Sequence, residues 1–389
     1  MSGIVLSASV RQNLLSLQST ADLLSTTQNR LATGNKVNSA LDNPTNFFTA
    51  QGLNNRASDI TNLLDSIGNG VQVLQAANTG ITSLQKLVDT AKSLANQVLQ
   101  APTGYSTKST VTSTALAATA NAANLVDGTV IKSGDVLTIA STGGGTATNI
   151  TFGASESLDQ LNTALAANNL TASLDSANKL VITTTNDAAS STIGAITYPG
   201  AGTGTLSFGA VAPPVADAAS QTIRANLVSQ YNNVIQQITT TAQDSSFNGI
   251  NLLNGDDLKL TFNETGKSTL NIKGVTFDAA GLGLAPLVPG TDFLDSASAN
   301  ATIAKISSAS NALRTEASTL GSNLSIVQIR QDFSKNLINV LQTGSANLTL
   351  ADTNEEAANS QALATRQSIA VSALALANQS QASVLQLLR

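Results

Sequence analysis

ITNLLDSIGNGVQVLQAANTGITSLQKLVDTAKSLANQVL, residues 60–99, decides the fold. Ile60, Ile67, Leu74, Ile81, Val88 and Ala95 recur every seven residues, and Leu63, Ala77, Leu84, Ala91 and Val98 stand three further on. Such a repeat draws one narrow apolar line along a helix, so this stretch predicts a long helix in a bundle. A companion runs over about 301–341, with Ile303, Ile306, Leu313, Leu320, Leu324, Val327, Ile338 and Leu341 as candidate core residues. A third helix, about 221–243, carries Ile223, Leu227, Tyr231, Val234 and Ile238.

The same rhythm reaches both ends of the chain. Val10, Leu17, Leu24 and Leu31 lie seven apart on a first helix, with Leu14 and Ala21 beside them, from about Leu6 to Leu31. Leu363, Ala370, Ala377 and Val384 lie seven apart on a last helix, with Leu374 and Leu388 on an adjacent line. An isolated helix with so thin a seam is marginal in water, so the two ends read as partners. Asp352 is placed to cap the last helix, with Glu355 and Glu356 at the favourable end of its dipole.

The polar stretch between Gly34 and Pro44 is a connector with a new helix starting near Pro44. SFNGINLLNG, residues 246–255, holds two Asn-Gly turn signals. DLKLTF and TLNIKGVTF alternate with period two on either side of Gly266 and predict a β-hairpin over about 257–278. Residues 102–216 change character to Thr, Ser, Gly and Ala. DVLTIA, NITFG, SLDQLNTALAANN, LTASLD and KLVITTT give a β-β-α-β-β order, flanked by polar linkers such as GAGTG and APPVAD. The predicted fold is mainly α: a long antiparallel helical bundle or coiled coil built from both termini, with a small β-hairpin and an inserted α+β domain. Three domains follow: 1–43 with 345–389, 44–101 with 217–344, and the insert 102–216.

Composition narrows the function. The 389 residues contain no His and no Cys, which removes the commonest metal ligands, the usual proton carrier near neutral pH and the best thiol nucleophile. Carboxylate pairs and Ser–Lys chemistry stay available, but no nucleophile elbow, P-loop or dinucleotide fingerprint sits in a strand-to-helix setting. No catalytic, cofactor-binding or metal-binding residue is therefore assigned. A net charge of −5 with no basic run argues against nucleic acid. No stretch reaches membrane-spanning length, and the start lacks the basic and apolar regions of a secretory signal. Charged residues are only 11% of the chain. A surface so poor in ions can be buried in lateral contacts without stripping water from many charges. Asn149-Ile150-Thr151 and Asn169-Leu170-Thr171 match a glycosylation triplet, as chance allows in so Asn- and Thr-rich a chain.

LATGNKVNSALDNPTN, residues 31–46, resembles the bacterial flagellin N-terminal region: Leu31, Thr33, Gly34, Lys36, Asn38, Ser39, Ala40 and Asp42 carry the likeness. The last 39 residues, with Ala-Asn-Gln-Ser at Ala377–Ser380 and the closing Leu-Leu-Arg, are similar to the flagellin terminal helix. SFNGINLLNG matches the turn after the second bundle helix, so the resemblance covers 1–101 and about 217–389. Inside the insert, residues 157–184 resemble the small IN motif of flagellins and hook-associated proteins. In the better-known layout the extra domain follows the hairpin, whereas here it lies between the first and second bundle helices.

The resemblance implies a secreted, extracellular subunit of the flagellar filament, exported unfolded and polymerised through its terminal helices for swimming motility. Its partners would be further copies of itself in a helical homopolymer, hook-associated and filament cap proteins, the flagellar type III export apparatus and a flagellin chaperone. No nucleic acid, membrane insertion or cofactor is implied. The expected assembly residues are Val10, Leu14, Leu17, Leu24, Leu31, Leu363, Ala370, Leu374, Ala377, Val384 and Leu388. Many flagellins are sensed by a Toll-like receptor at a stretch resembling DTAKSLA, with Asp89, Thr90, Lys92 and Leu94 as its candidate residues here. The alternative is a hook-filament junction protein of the same superfamily, used in few copies and so separable by abundance. Periodicity alone fits a monomeric bundle, and the Thr-rich insert alone fits an adhesin, but neither accounts for paired seams at both ends.

Overall fold

The computed structural model describes residues 8–198 and 204–387, with the backbone alone at 381 and 384–387. Six α-helices dominate the described residues: α1 (Ala8–Thr33), α2 (Pro44–Gln100), α3 (Leu158–Ala166), α4 (Ala218–Asp244), α5 (Ser296–Thr349) and α6 (Thr353–Leu387). The fold is mainly α, as the heptads predict. Two compact units result: Met1–Gly70 with Lys259–Leu270 and Ile326–Arg389, and Val71–Leu258 with Asn271–Ser325.

In the first unit α1 packs along α6, and the backbone beside Gly34 ties their junction. Lys36 N–H donates to Thr349 O at 2.7 Å and Ala351 N–H to Gly34 O at 3.0 Å. Since α1 ends and α6 begins at this junction, the two helices run antiparallel. Gly34 has φ +71°, the left-handed conformation that stops α1. Asp42 closes the connector by accepting from the Asn38 and Ser39 N–H groups, both at 2.9 Å. Ala57 and Ile60 of α2 meet Ile338 and Leu341 of α5 in a small core. The hairpin β9 (Leu258–Thr261) and β10 (Thr269–Ile272) forms where alternation predicts it. It is shorter than 257–278: beyond Ile272 the strand leaves the ladder, and Val275 and Phe277 N–H donate instead to Leu252 O and Leu253 O.

In the second unit every heptad residue of α2 from Leu74 to Val98 named above is buried. Leu227, Tyr231 and Ile238 of α4 are buried too, but Ile223 is exposed and Val234 half-buried. Arg224 takes the inward place next to Ile223, because its guanidinium satisfies carbonyls at and just beyond the end of α2 and that of Phe293. Nε donates to Pro102 O (2.7 Å), Nη1 to Phe293 O, and Nη2 to Val98 O (3.2 Å) and Ala101 O (3.1 Å). The motif SFNGINLLNG folds back on α4. Asn248 and Gly249, both with positive φ, turn the chain between Phe247 and Ile250. Asn251 Nδ2 then donates to the last carbonyls of α4, Ala242 O and Gln243 O, both at 2.8 Å. Leu252 and Leu253 are buried beyond it, and a Cβ at Gly80 of α2 would collide with Ser245 Oγ and stand 2.7 Å from a Leu253 methyl.

The insert keeps its β-β-α-β-β order as β3 (Val136–Ile139), β4 (Thr148–Thr151), α3, β5 (Leu170–Leu174) and β6 (Lys179–Thr184). These strands split between two three-stranded sheets, each completed by a strand from outside the motif. β2 (Thr110–Ala115) joins β6 and β5, and β7 (Ile196–Thr197) joins β3 and β4. Leu137, Ile139, Phe152, Leu161, Leu165 and Ile182 belong to its own buried core. APPVAD does not act as a free linker. Its Val215 and Ala216 form β8, paired with β1 (Tyr105–Thr107), and Asp217 caps α4. GAGTG lies almost wholly outside the described residues.

Candidate assembly surface

The α1·α6 pair is a coiled coil with a half-polar seam. On α1, Val10 and Thr27 are buried, and Asn13, Leu17, Thr20, Ala21 and Leu24 are half-buried. On α6 the inward line is Glu356, Ser360, Leu363, Gln367, Ala370, Leu374 and Ala377, of which only Glu356 is buried. Arg30 reaches Glu356 Oε1 at 3.2 Å. Asp352 caps α6, its Oδ1 accepting from Asn354 N–H (2.9 Å) and Glu355 N–H (3.3 Å).

Of the residues expected on α1, Val10 is buried in the seam and Leu17, Ala21 and Leu24 are half-buried there. Leu14 and Leu31 are exposed, at 36% and 39%. The second line includes Asn13, Thr20 and Thr27, three residues after Val10, Leu17 and Leu24; of the residues four after them Leu14 and Gln28 are exposed and Ala21 is half-buried. Apolarity alone favoured Leu14. Val384 has no described side chain and Leu388 lies outside the described residues.

What the seam leaves out is apolar. Of the twenty large hydrophobic side chains exposed among the described residues, fourteen belong to the first unit. Leu15 and Leu23 of α1, Ile326, Ile329, Phe333 and Val340 of α5, and Ile369, Val371 and Leu376 of α6 are among them. A monomer seldom exposes so much apolar surface in one region without a partner to cover it.

DTAKSLA on α2 divides by face. Asp89 and Thr90 are exposed and Lys92 half-buried, whereas Leu94 is buried at 8% and Ala95 at 0%. Leu94 thus belongs to the bundle core. An open groove of about 440 Å³ runs beside this stretch, lined by Asp89, Lys92 and Asn96 among others. Among the described residues no cluster of three or more Cys, His, Asp or Glu could hold a metal, and no helix is long and apolar enough to cross a membrane.

Two protein families match. The bacterial flagellin N-terminal helical region covers residues 5–130, and the bacterial flagellin C-terminal helical region covers residues 303–388. Among curated proteins, flagellin FljM of Caulobacter vibrioides is 33% identical over 42% of this chain and 59% of its own length. Flagellin FljK of the same organism is 34% identical over the same shares, and flagellin FljO is 30% identical. The chain spans about 59% of the length of these relatives.

Proposed function

The chain belongs to the bacterial flagellin family, and on that premise we propose that it is a structural subunit of the flagellar filament that polymerises through α1 and α6. The carrying observation is the exposed apolar surface, of which fourteen of the twenty large side chains exposed among the described residues lie in the first unit. A head-to-tail contact that does not close on itself yields an open helical filament. The working place of such a subunit is extracellular, and its role is structural, not catalytic.

In this reading 1–43 with 345–389 form the inner filament domain, 44–101 with 217–344 the surrounding bundle domain, and 102–216 a variable outer domain. Export unfolded through the type III apparatus, with a chaperone, and contact with hook-associated and cap proteins belong to the same proposal. Seeding purified protein and imaging it by negative stain tests the core of it. Long tubes are expected; seeded protein that stays monomeric would refute the reading.

Receptor sensing should be weak. The family's recognised form carries basic residues at the positions of Thr90 and Lys92 and an acidic residue at Ser93. Thr90 lacks the planar donor fork of arginine, and losing such an anchor costs about 2 kcal/mol, or about thirtyfold in affinity. A reporter-cell assay on monomer should show little response, raised by Thr90→Arg with Ser93→Glu. A full response from the unaltered chain would contradict this.

A further inference from the structure

Between the hairpin and α5 the chain runs back along α4 without regular structure, and α4 holds it at three points in turn. Ala279 N–H donates to Thr239 Oγ1 at 3.3 Å, Leu287 pairs with Asn232, and Phe293 O accepts from Arg224 Nη1. Two of the three holds are backed by buried apolar side chains. Leu284, near the first, and Phe293, at the last, are buried, and the Phe293 ring meets that of Tyr231 edge-on at 5.9 Å.

The middle hold stands alone. Of residues 285–292 only Leu287 and Asp292 are even half-buried, and Val288 is 58% exposed. Pro286 and Pro289 have no N–H to offer. Most hydrogen bonds of the stretch are its own: Thr291 and Asp292 N–H donate to Val288 O, and the Asp292 carboxylate accepts from Val288 N–H at 2.6 Å. Among the described residues its other hydrogen bonds go to Asn232. Asn232 Nδ2 donates to Leu287 O and Asn232 Oδ1 accepts from Leu287 N–H, both at 2.8 Å. One side-chain amide thus pairs with Leu287 as a neighbouring strand would. Beneath lies an open groove of about 570 Å³, with Ile235 and Gln236 of α4 on one side and Leu284, Ala285 and Pro286 on the other. A segment with few buried apolar contacts and mostly exposed backbone is low in local stability.

We propose that residues 285–292 are a flap over this groove, clasped shut by Asn232 and opening as one unit while the bundle stays folded. The bonds within 288–292 are independent of Asn232, so once the clasp is lost the turn keeps its shape and swings between the anchors Leu284 and Phe293. Opening bares the wall of the groove at Ile235, which is 3% exposed while the flap is closed. Such opening needs no second copy, so it is separate from polymerisation.

Two readouts on full-length monomer test it. Asn232→Ala removes both clasp bonds and should speed amide exchange at Leu287 at least about tenfold. The natural chain has no cysteine, so Ile235→Cys supplies a single thiol on the groove wall. Its labelling by a water-soluble maleimide should accelerate by a similar factor when Asn232→Ala is added. Ile238→Cys, buried on α4 outside the lining of the groove, should stay as slow as before, as should amide exchange across residues 74–98. Faster exchange at Leu287 with no change at the Ile235→Cys thiol would overturn the flap, leaving only a local bond. Equal acceleration at both thiols would also overturn it, because the bundle itself would then be opening.

Discussion

The bundle of the second unit and the terminal pair of the first use the same heptad rule with opposite results. From Leu74 to Val98, α2 buries aliphatic side chains at every repeat, and Arg224 satisfies the carbonyls where the helix ends. In α1·α6 the inward positions alternate leucine or alanine with Asn13, Thr20, Thr27, Ser360 and Gln367, and most are only half-buried. Each fully buried Leu or Ile contributes about 1.5–3 kcal/mol, whereas a half-buried residue in a polar seam contributes a fraction of that. The bundle can stand in a monomer. The terminal pair has its apolar residues divided between a seam inside the copy and a surface outside it, so its stability depends on company.

One substitution made in both regions breaks the comparison most sharply. Leu84→Ala, in the fully buried stripe of α2, should cost about 3 kcal/mol in chemical unfolding of the monomer. Leu17→Ala, in the half-buried seam, should cost under about 1 kcal/mol in the same experiment. Equal costs would mean that the terminal pair is as well packed as the bundle.

Charge inserted into the seam sharpens it further. Leu17→Asp or Leu374→Asp should leave bundle helicity nearly intact and abolish seeded polymerisation, because a carboxylate half-buried in the monomer would be fully enclosed in the filament. Normal filaments from both variants would remove these residues from the interface.

A smaller effect is expected with pH at the connector beside the terminal pair. The Asn38 and Ser39 N–H groups hold the Asp42 carboxyl below its ordinary value. A folded value below the unfolded one gives stabilisation that is present above about pH 4 and lost as pH falls through the folded value. Amide exchange at Asn38 and Ser39, corrected for the intrinsic rate, should therefore accelerate only on acidification into that range. A loop equally protected well below it would show that Asp42 does not hold the turn.

The smallest effect concerns the insert. Asp217 N–H donates to Gly104 O at 3.0 Å, so the insert's entry and exit lie side by side. Replacing residues 105–216 by a short Gly/Ser link, with Pro102 and Arg224 kept, should leave filament formation nearly unchanged. A folded variant that never polymerises would assign the insert essential lateral contacts.

Much of this contrast was legible in the sequence because period and turn chemistry are local. The heptads of α2, the Asn-Gly turn at Asn248 and the β-β-α-β-β order all follow from neighbours in the chain. Arg224 was not legible. Nothing beside it marks it as buried, and the four carbonyls that it binds come from Val98 to Pro102 and from Phe293, far along the chain. β2 and β7 escaped for the same reason, since each completes a sheet whose other strands lie in a self-contained motif. The exposed apolar residues of α6 were hidden by success: once Leu363, Ala370 and Ala377 accounted for one face, Ile369 and Leu376 passed as surface residues.

Hydrogen exchange on free monomer and on filaments tests the central claim most directly. In the monomer, amides of residues 8–33 and 353–383 should exchange far faster than those of 74–98, and in the filament both sets should be strongly protected. Terminal helices as protected in the free monomer as residues 74–98 would contradict the claim that assembly completes their stability.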